Sequence, residues 1–135
     1  MIKYLADTNI LGYFSRNSSA ALQESMLAAL KKQEVAISAI TRAEEQFGLA
    51  LLQPDDKRRR TVDLLLNEFP VLPWTLEAAD RYGDIAAHLQ QTGQPIGVMD
   101  TQIAAHAVVL GLSLVTHNTR HFKRVPGLKL ADWMV

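Results

Sequence analysis

The sequence contains no cysteine. Disulfides and thiolate-held metals are therefore excluded, and any metal must be held by oxygen or imidazole. Nor is there an excess of charge of either sign, since 14 Lys and Arg offset 14 Asp and Glu. No global basic field announces nucleic acid. No apolar run approaches the ~20 residues of a membrane span. No basic segment followed by a short apolar one opens the chain, so a soluble cytoplasmic protein is expected. Familiar catalytic signatures are missing too: no G-x-S-x-G elbow, no G-x-x-x-x-G-K-[ST] loop and no H-E-x-x-H helix occurs. Gly93-Gln94-Pro95-Ile96-Gly97 reads as a turn rather than a dinucleotide fingerprint. There is no internal repeat, linker or low-complexity segment.

What is present is an ordinary globular composition, 48% hydrophobic over 135 residues, enough for one domain with a real core. Residues 3–6 read as a buried strand that stops abruptly at Asp7. Thr8 or Asn9 can cap a helix running to about Arg16. Helical spacing follows over residues 20–32, then a short strand at 35–37. Helices are read over 38–52 and 57–69, an edge strand within 70–73, and a long helix over 75–91 capped by Thr75. A further helix within 97–110 is closed by Gly111. Residues 112–116 form a strand, 117–126 a loop or short helix, and 128–130 a last strand. Strands alternating with helices indicate an α/β architecture with a mainly parallel sheet.

Four acidic or amide residues fall near strand–helix junctions: Asp7, Glu44, Asp100 and Asn118. In a parallel sheet all four can converge on the carboxyl edge, where ligands bind. Carboxylates with an amide and no cysteine are the ligand set of a hard cation such as Mg²⁺. Without a cation the carboxylates would repel and one or more pKa values would rise. Each residue also has a local explanation. Thr41-Arg42-Ala43-Glu44 fits a capping box, Asp100 an N-cap, and Asn118 a turn. Glu45 reads as a surface charge. Asp7, a carboxylate ending an apolar strand, is the hardest to explain away.

Between Asp100 and Asp132 there is no acid, yet Arg120, Lys123, Arg124 and Lys129 lie there. The run Lys57-Arg58-Arg59-Arg60 follows Asp55 and Asp56 and reads as a solvated helix start. His88 and His106 sit inside helical patterns, as surface or satisfied core residues. His117 and His121 flank the candidate site.

These blocks resemble the PIN-domain ribonucleases of the VapC toxin type. The matching pieces are Leu5 to Ile10, Ile37 to Glu44 with Gly48, Gly97 to Ala107, and Leu114 to Phe122. They stand in family order, and the similarity spans essentially the whole chain. The resemblance implies one PIN domain over residues 1–135, an α/β/α sandwich with a four- or five-stranded sheet. It gives metal-site roles to Asp7, Glu44 and Asp100. Asn118 falls where many PIN domains carry a fourth acid and others of the VapC type carry Asn, which leaves one-metal against two-metal chemistry open. Thr8, Asn9, Ser38 and Thr116 fall where hydroxyls and amides orient the ligands.

The implied reaction is Mg²⁺- or Mn²⁺-dependent hydrolysis of an RNA phosphodiester. Water attacks in line and leaves a 5′-phosphate and a 3′-hydroxyl. Arg120, Lys123 and Arg124 would gather phosphates, with His117 and His121 touching RNA. The resemblance further implies a toxin–antitoxin pairing and a structured RNA target such as initiator tRNA. A VapB-like antitoxin would lie across an apolar groove near Leu11, Tyr13, Phe14, Met26 and Leu27, although plain core packing explains those residues equally. A homodimer and a larger hetero-oligomer with the antitoxin are implied as well. A phosphorylated receiver domain is disfavoured because only Asp7 ends the first strand, where that fold needs paired acids. A non-cleaving scaffold is opposed by the intact Asp7, Glu44 and Asp100. A structure-specific DNA nuclease of similar fold would need a longer chain and more acids.

Overall fold

The computed structural model describes residues Met1–Val135. Five strands form one parallel sheet: β1 (Tyr4–Ala6), β2 (Val35–Ser38), β3 (Val71–Leu72), β4 (Ser113–Val115) and β5 (Lys129–Ala131). Their spatial order is β3-β2-β1-β4-β5. Tyr4 pairs with Val35 on one side and with Ser113 on the other. The chain builds outward from β1 in one direction, then returns and builds in the other. The strand order therefore reverses between β1 and β4, and at such a point a crevice opens at the carboxyl ends of the strands.

The helices are α1 (Thr8–Ser15), α2 (Ala20–Lys31), α3 (Ala39–Ala50), α4 (Lys57–Asn67), α5 (Leu76–Gln91), α6 (Val98–Leu110) and α7 (Thr119–Phe122). Alternate strand residues face opposite sides, which gives two cores. Leu5 and Leu114 pack with Ile85, Leu89, Ile103 and Phe122, from α5, α6 and α7. Ala6, Ile37 and Val115 pack with Ile10, Met26, Leu49 and Leu66, from α1 to α4. A sheet covered on both faces explains why its strands read as continuous apolar runs. No helix is long and apolar enough to cross a membrane.

At three helices the cap is not the residue that the local rules offered. Asp7, not Thr8 or Asn9, caps α1, its Oδ1 accepting the Ile10 N–H at 2.8 Å. Ser38 caps α3, so Thr41 to Glu44 is not a capping box and Thr41 is buried inside the helix. Gly97, at φ +96°, precedes α6, so Asp100 stands in the first turn instead of capping it. In each case the cap lies upstream of the residue that local rules favoured. The expected apolar groove is corrected as well. Leu11 and Met26 are fully buried core residues, Tyr13 and Phe14 are half-buried, and only Leu27 is largely exposed, at 57%.

Candidate functional site

Asp7 occupies the crevice between β1 and β4. Its N–H donates to the Val115 carbonyl at 3.0 Å, which fixes the residue beside the end of β4. Its side chain is only 3% exposed. Burial pushes the carboxyl up from its ordinary 3.8 to about 6. The Thr116 hydroxyl and the Ile10 N–H oppose that rise, while the charges of Asp100 and Glu44 add to it. Thr116 also accepts the Asn118 N–H at 3.0 Å, so one buried hydroxyl links Asp7 to the start of α7.

Glu44 comes from α3 and is half-buried. Its Oε1 accepts the Thr8 hydroxyl at 2.8 Å. The Thr41 hydroxyl lies 3.2 Å from that of Thr8. Thr8 has one proton and gives it to the carboxylate, so it accepts from Thr41. Burial, then the charge of Asp100, raises the Glu44 pKa, and Thr8 holds it down. Asp100, in the first turn of α6, places Oδ2 3.0 Å from His121 Nε2. Three carboxylates from β1, α3 and α6 thus lie within electrostatic range of one another. They do not close into a ready-made cage. The donor set is all oxygen and electrostatically frustrated, and a divalent cation would relieve it. Mg²⁺ keeps several waters and needs only one or two carboxylates, so the residues fit such an ion.

The other sequence-predicted residues divide. Asn118 is exposed and makes no side-chain bond to the acids. It opens instead on a small cleft of about 210 Å³ shared with Asn9, Tyr13 and His117. His117 is held by Asp132 at 3.1 Å and stands edge-on to Tyr13. Arg124 donates to the Pro95 carbonyl at 3.2 Å, and Lys129 to the Gly111 carbonyl at the end of α6. Arg120 and Lys123 are exposed, with no ion pair. Ser38 is buried, and its Oγ lies 2.8 Å from His106 Nδ1. That contact ties the cap of α3, which carries Glu44, to α6, which carries Asp100.

Sequence reasoning missed three features. His106 is that buried bridge; burial lowers its pKa, so it is neutral, and its Nε2 has no well-formed hydrogen bond. Glu45 is not a plain surface charge. It is half-buried, with its pKa raised by burial and then by Glu44. It lines a second cleft of about 820 Å³ between α1 and α4, together with Thr8, Asn9, Tyr13, Arg16, Lys57 and Arg58. Charged and hydroxyl side chains stand in it beside Tyr13, Val62 and Leu65, and the surface it exposes is more apolar than polar. Only long-range packing creates it, and no local pattern announces it.

Known proteins are similar to this chain along nearly its whole length. Residues 4–128 match the family model of the PIN domain. The tRNA(fMet)-specific endonuclease VapC of Shigella flexneri is 35% identical, covering 98% of this chain and 99% of that protein. The crystal structure of DNA-bound VapBC from Salmonella typhimurium superposes with a TM-score of 0.90 at 32% identity, covering 98% and 99%. VapBC2 from Rickettsia felis, bound to a DNA fragment from its promoter, gives 0.87 at 31%, with the same coverage. A deep strand-end carboxylate at the switch point, two further acids from α3 and α6, and similarity along the whole chain lead to one assignment: this chain belongs to the PIN-domain family, among the VapC ribonucleases.

Proposed function

We propose that the chain, acting as one domain, is the toxin of a toxin–antitoxin pair, a cytoplasmic endoribonuclease that needs Mg²⁺ or Mn²⁺. The observation that carries this reading is the trio Asp7, Glu44 and Asp100 at the switch point, with Asp7 buried and its pKa raised to about 6. The three carboxylates would hold the cation. When bound, it would polarise the attacking water and offset charge developing on the phosphate. Thr8 sets the rotamer of Glu44 through the 2.8 Å hydrogen bond. Thr116 steadies Asp7, and Asn9 faces the entrance. Asn118 adds no charge, so a second cation would be held more weakly. Water oxygen bonds to phosphorus, the P–O3′ bond breaks, and the departing O3′ takes a proton. The products carry a 5′-phosphate and a 3′-hydroxyl. His117 and His121 both face carboxylates, an arrangement suited to placing side chains at the rim rather than to a paired acid–base mechanism.

The name of the Shigella relative supports initiator tRNA as the substrate. The VapBC complexes support a VapB-like antitoxin as partner, and the toxin itself would pair as a homodimer within a larger hetero-oligomer. Phe47 on α3 and Leu51 at its C-cap, one turn apart and 67% and 70% exposed, offer apolar surface for a partner to cover. Arg120 and Lys123 would gather phosphates near the acids. The test is cleavage of total cellular RNA by antitoxin-free protein with Mg²⁺ or Mn²⁺, with product ends mapped. Discrete cuts that vanish in EDTA and in Asp7→Asn are expected. Cutting that survives both would refute the reading, as would an intact RNA pool with every arm supplied.

A further inference from the structure

We propose that the His121 imidazole adds a nitrogen ligand to the cation centre of Asp7, Glu44 and Asp100, and so tilts that centre from Mg²⁺ towards transition-metal ions. This rests on the reading above and deepens it, naming one more donor and the class of ion the centre prefers. Four observations carry it. The first is the pairing of the acids. Asp7 is held by the Ile10 N–H and Thr116, and Glu44 by Thr8. Asp100 has a single partner, His121, whose Nε2 lies 3.0 Å from Oδ2. No lysine or arginine pairs with any of the three, so this imidazole is the one basic side chain paired with the cluster.

Second, the ring is already placed. It stands on α7, whose start is tied to the Asp7 neighbourhood by the Asn118 N–H on Thr116. The next residue, Phe122, is buried and anchors α7 in the core, and the His121 ring stands edge-on to it at 5.1 Å. Third, the spacing suits a shared ion. Adjacent donors on an octahedral cation with bonds of about 2.1 Å stand about 3.0 Å apart, which is the separation of Nε2 and Oδ2. Fourth, the ring proton has somewhere to go. Without a cation, Nε2–H donates to Oδ2. Ligation needs the Nε2 lone pair, and the neutral ring then carries its one proton on Nδ1. The side chain makes no other hydrogen bond and is 22% exposed, so water accepts that N–H. Carboxylates and water suit Mg²⁺, whereas imidazole suits the later transition ions, with affinity rising from Mn²⁺ to Co²⁺ and Ni²⁺.

The test uses the full chain freed of antitoxin and loaded with Mn²⁺ in the absence of RNA. Pulsed electron paramagnetic resonance reads whether a nitrogen is bound directly to the ion. Wild type should show the hyperfine coupling of an imidazole nitrogen, and His121→Gln should lose it. Gln keeps an N–H that can reach Asp100 but removes the ring nitrogen. Displacement of Mn²⁺ by Mg²⁺ and by Co²⁺ then gives the selectivity. Wild type should prefer Co²⁺ to Mg²⁺, and His121→Gln should narrow that preference by roughly tenfold, while thermal melts show the variant folded. Wild type that binds Mn²⁺ without nitrogen coupling overturns the proposal and needs no variant to do so. Coupling that survives His121→Gln and disappears in His117→Gln assigns the nitrogen to the other histidine and overturns it too. Equal weakening of all three ions would make His121 a clamp on Asp100 rather than a ligand, and the proposal would again be wrong. The two levels separate cleanly. Mn²⁺ bound without nitrogen sinks only the His121 ligand, whereas a wild type that binds none of the three ions sinks the cation centre with it.

Discussion

Replacing Asp7 by Asn should stabilise the metal-free protein while abolishing its activity. Asn caps a helix about as well as Asp, so the bond to Ile10 survives and only the charge is lost. The folded-state pKa of Asp7 lies at about 6 against an ordinary 3.8. At about 1.4 kcal/mol per pH unit, ionising it in the folded chain costs up to about 3 kcal/mol at neutral pH. The side chain is almost wholly buried, so solvent screening removes little of this. For a chain of this size about 2–3 kcal/mol corresponds to a melting-temperature gain of roughly 6–10 °C. The sign follows from proton counting. Between about pH 4 and pH 6 the folded state holds a proton that the unfolded state has released, so wild-type stability falls as pH rises. The variant has no such dependence at this position. The gap should therefore be small below about pH 4 and fully open above about pH 6. A divalent cation should narrow it by binding folded wild type alone. Thermal or urea melts in EDTA across this range are the assay. A variant no more stable than wild type at pH 8, or a gap that is the same at pH 4, would refute the reasoning.

Thr8→Val keeps the shape of the side chain and deletes the hydroxyl that holds Glu44. Single-turnover cleavage should slow by about tenfold, the equivalent of one hydrogen bond to a charged group, with RNA affinity unchanged; an unchanged rate would show that Glu44 needs no such support. Ser38 and His106 should be energetically coupled across their 2.8 Å contact. A double-mutant cycle with Ser38→Ala and His106→Leu should return about 1 kcal/mol, and additive effects would dissolve the proposed tie between α3 and α6. Gly12→Ala should raise stability by up to about 1 kcal/mol as the flexible end of Arg16 moves off the added methyl, which urea melts would check; a loss of stability would show that the Arg16 contact with Tyr13 outweighs the helix gain.

The residues that could be read from sequence are those whose environment is built locally. Asp7 stands out because an apolar strand stops on a carboxylate, and its own position fixes it in the β1–β4 crevice. Thr75 and Gly111 mark their helix ends through one turn of backbone. At Asp7-Thr8-Asn9 three cap-forming side chains stand in a row, and Ser38 and Thr41 stand three apart, so the local rule cannot choose among them. The register of the preceding strand decides, and it selects the first. The partners of the acids were not legible. Thr8 lies 36 residues from Glu44, and His121 lies 21 from Asp100. Glu45 takes its character from α1 and α4, which pack over it only after the chain has folded. The apolar surplus on α1 and α2 was real but is consumed under the sheet by Leu11 and Met26.

The central claim is that Asp7, Glu44 and Asp100 make one cation centre. Binding of Mn²⁺ to antitoxin-free protein, followed by electron paramagnetic resonance without RNA, tests it most directly. Wild type should bind, and Asp7→Asn, Glu44→Gln and Asp100→Asn should each lose affinity by about tenfold or more. A removed carboxylate that leaves Mn²⁺ affinity unchanged would show that the three acids do not share one ion.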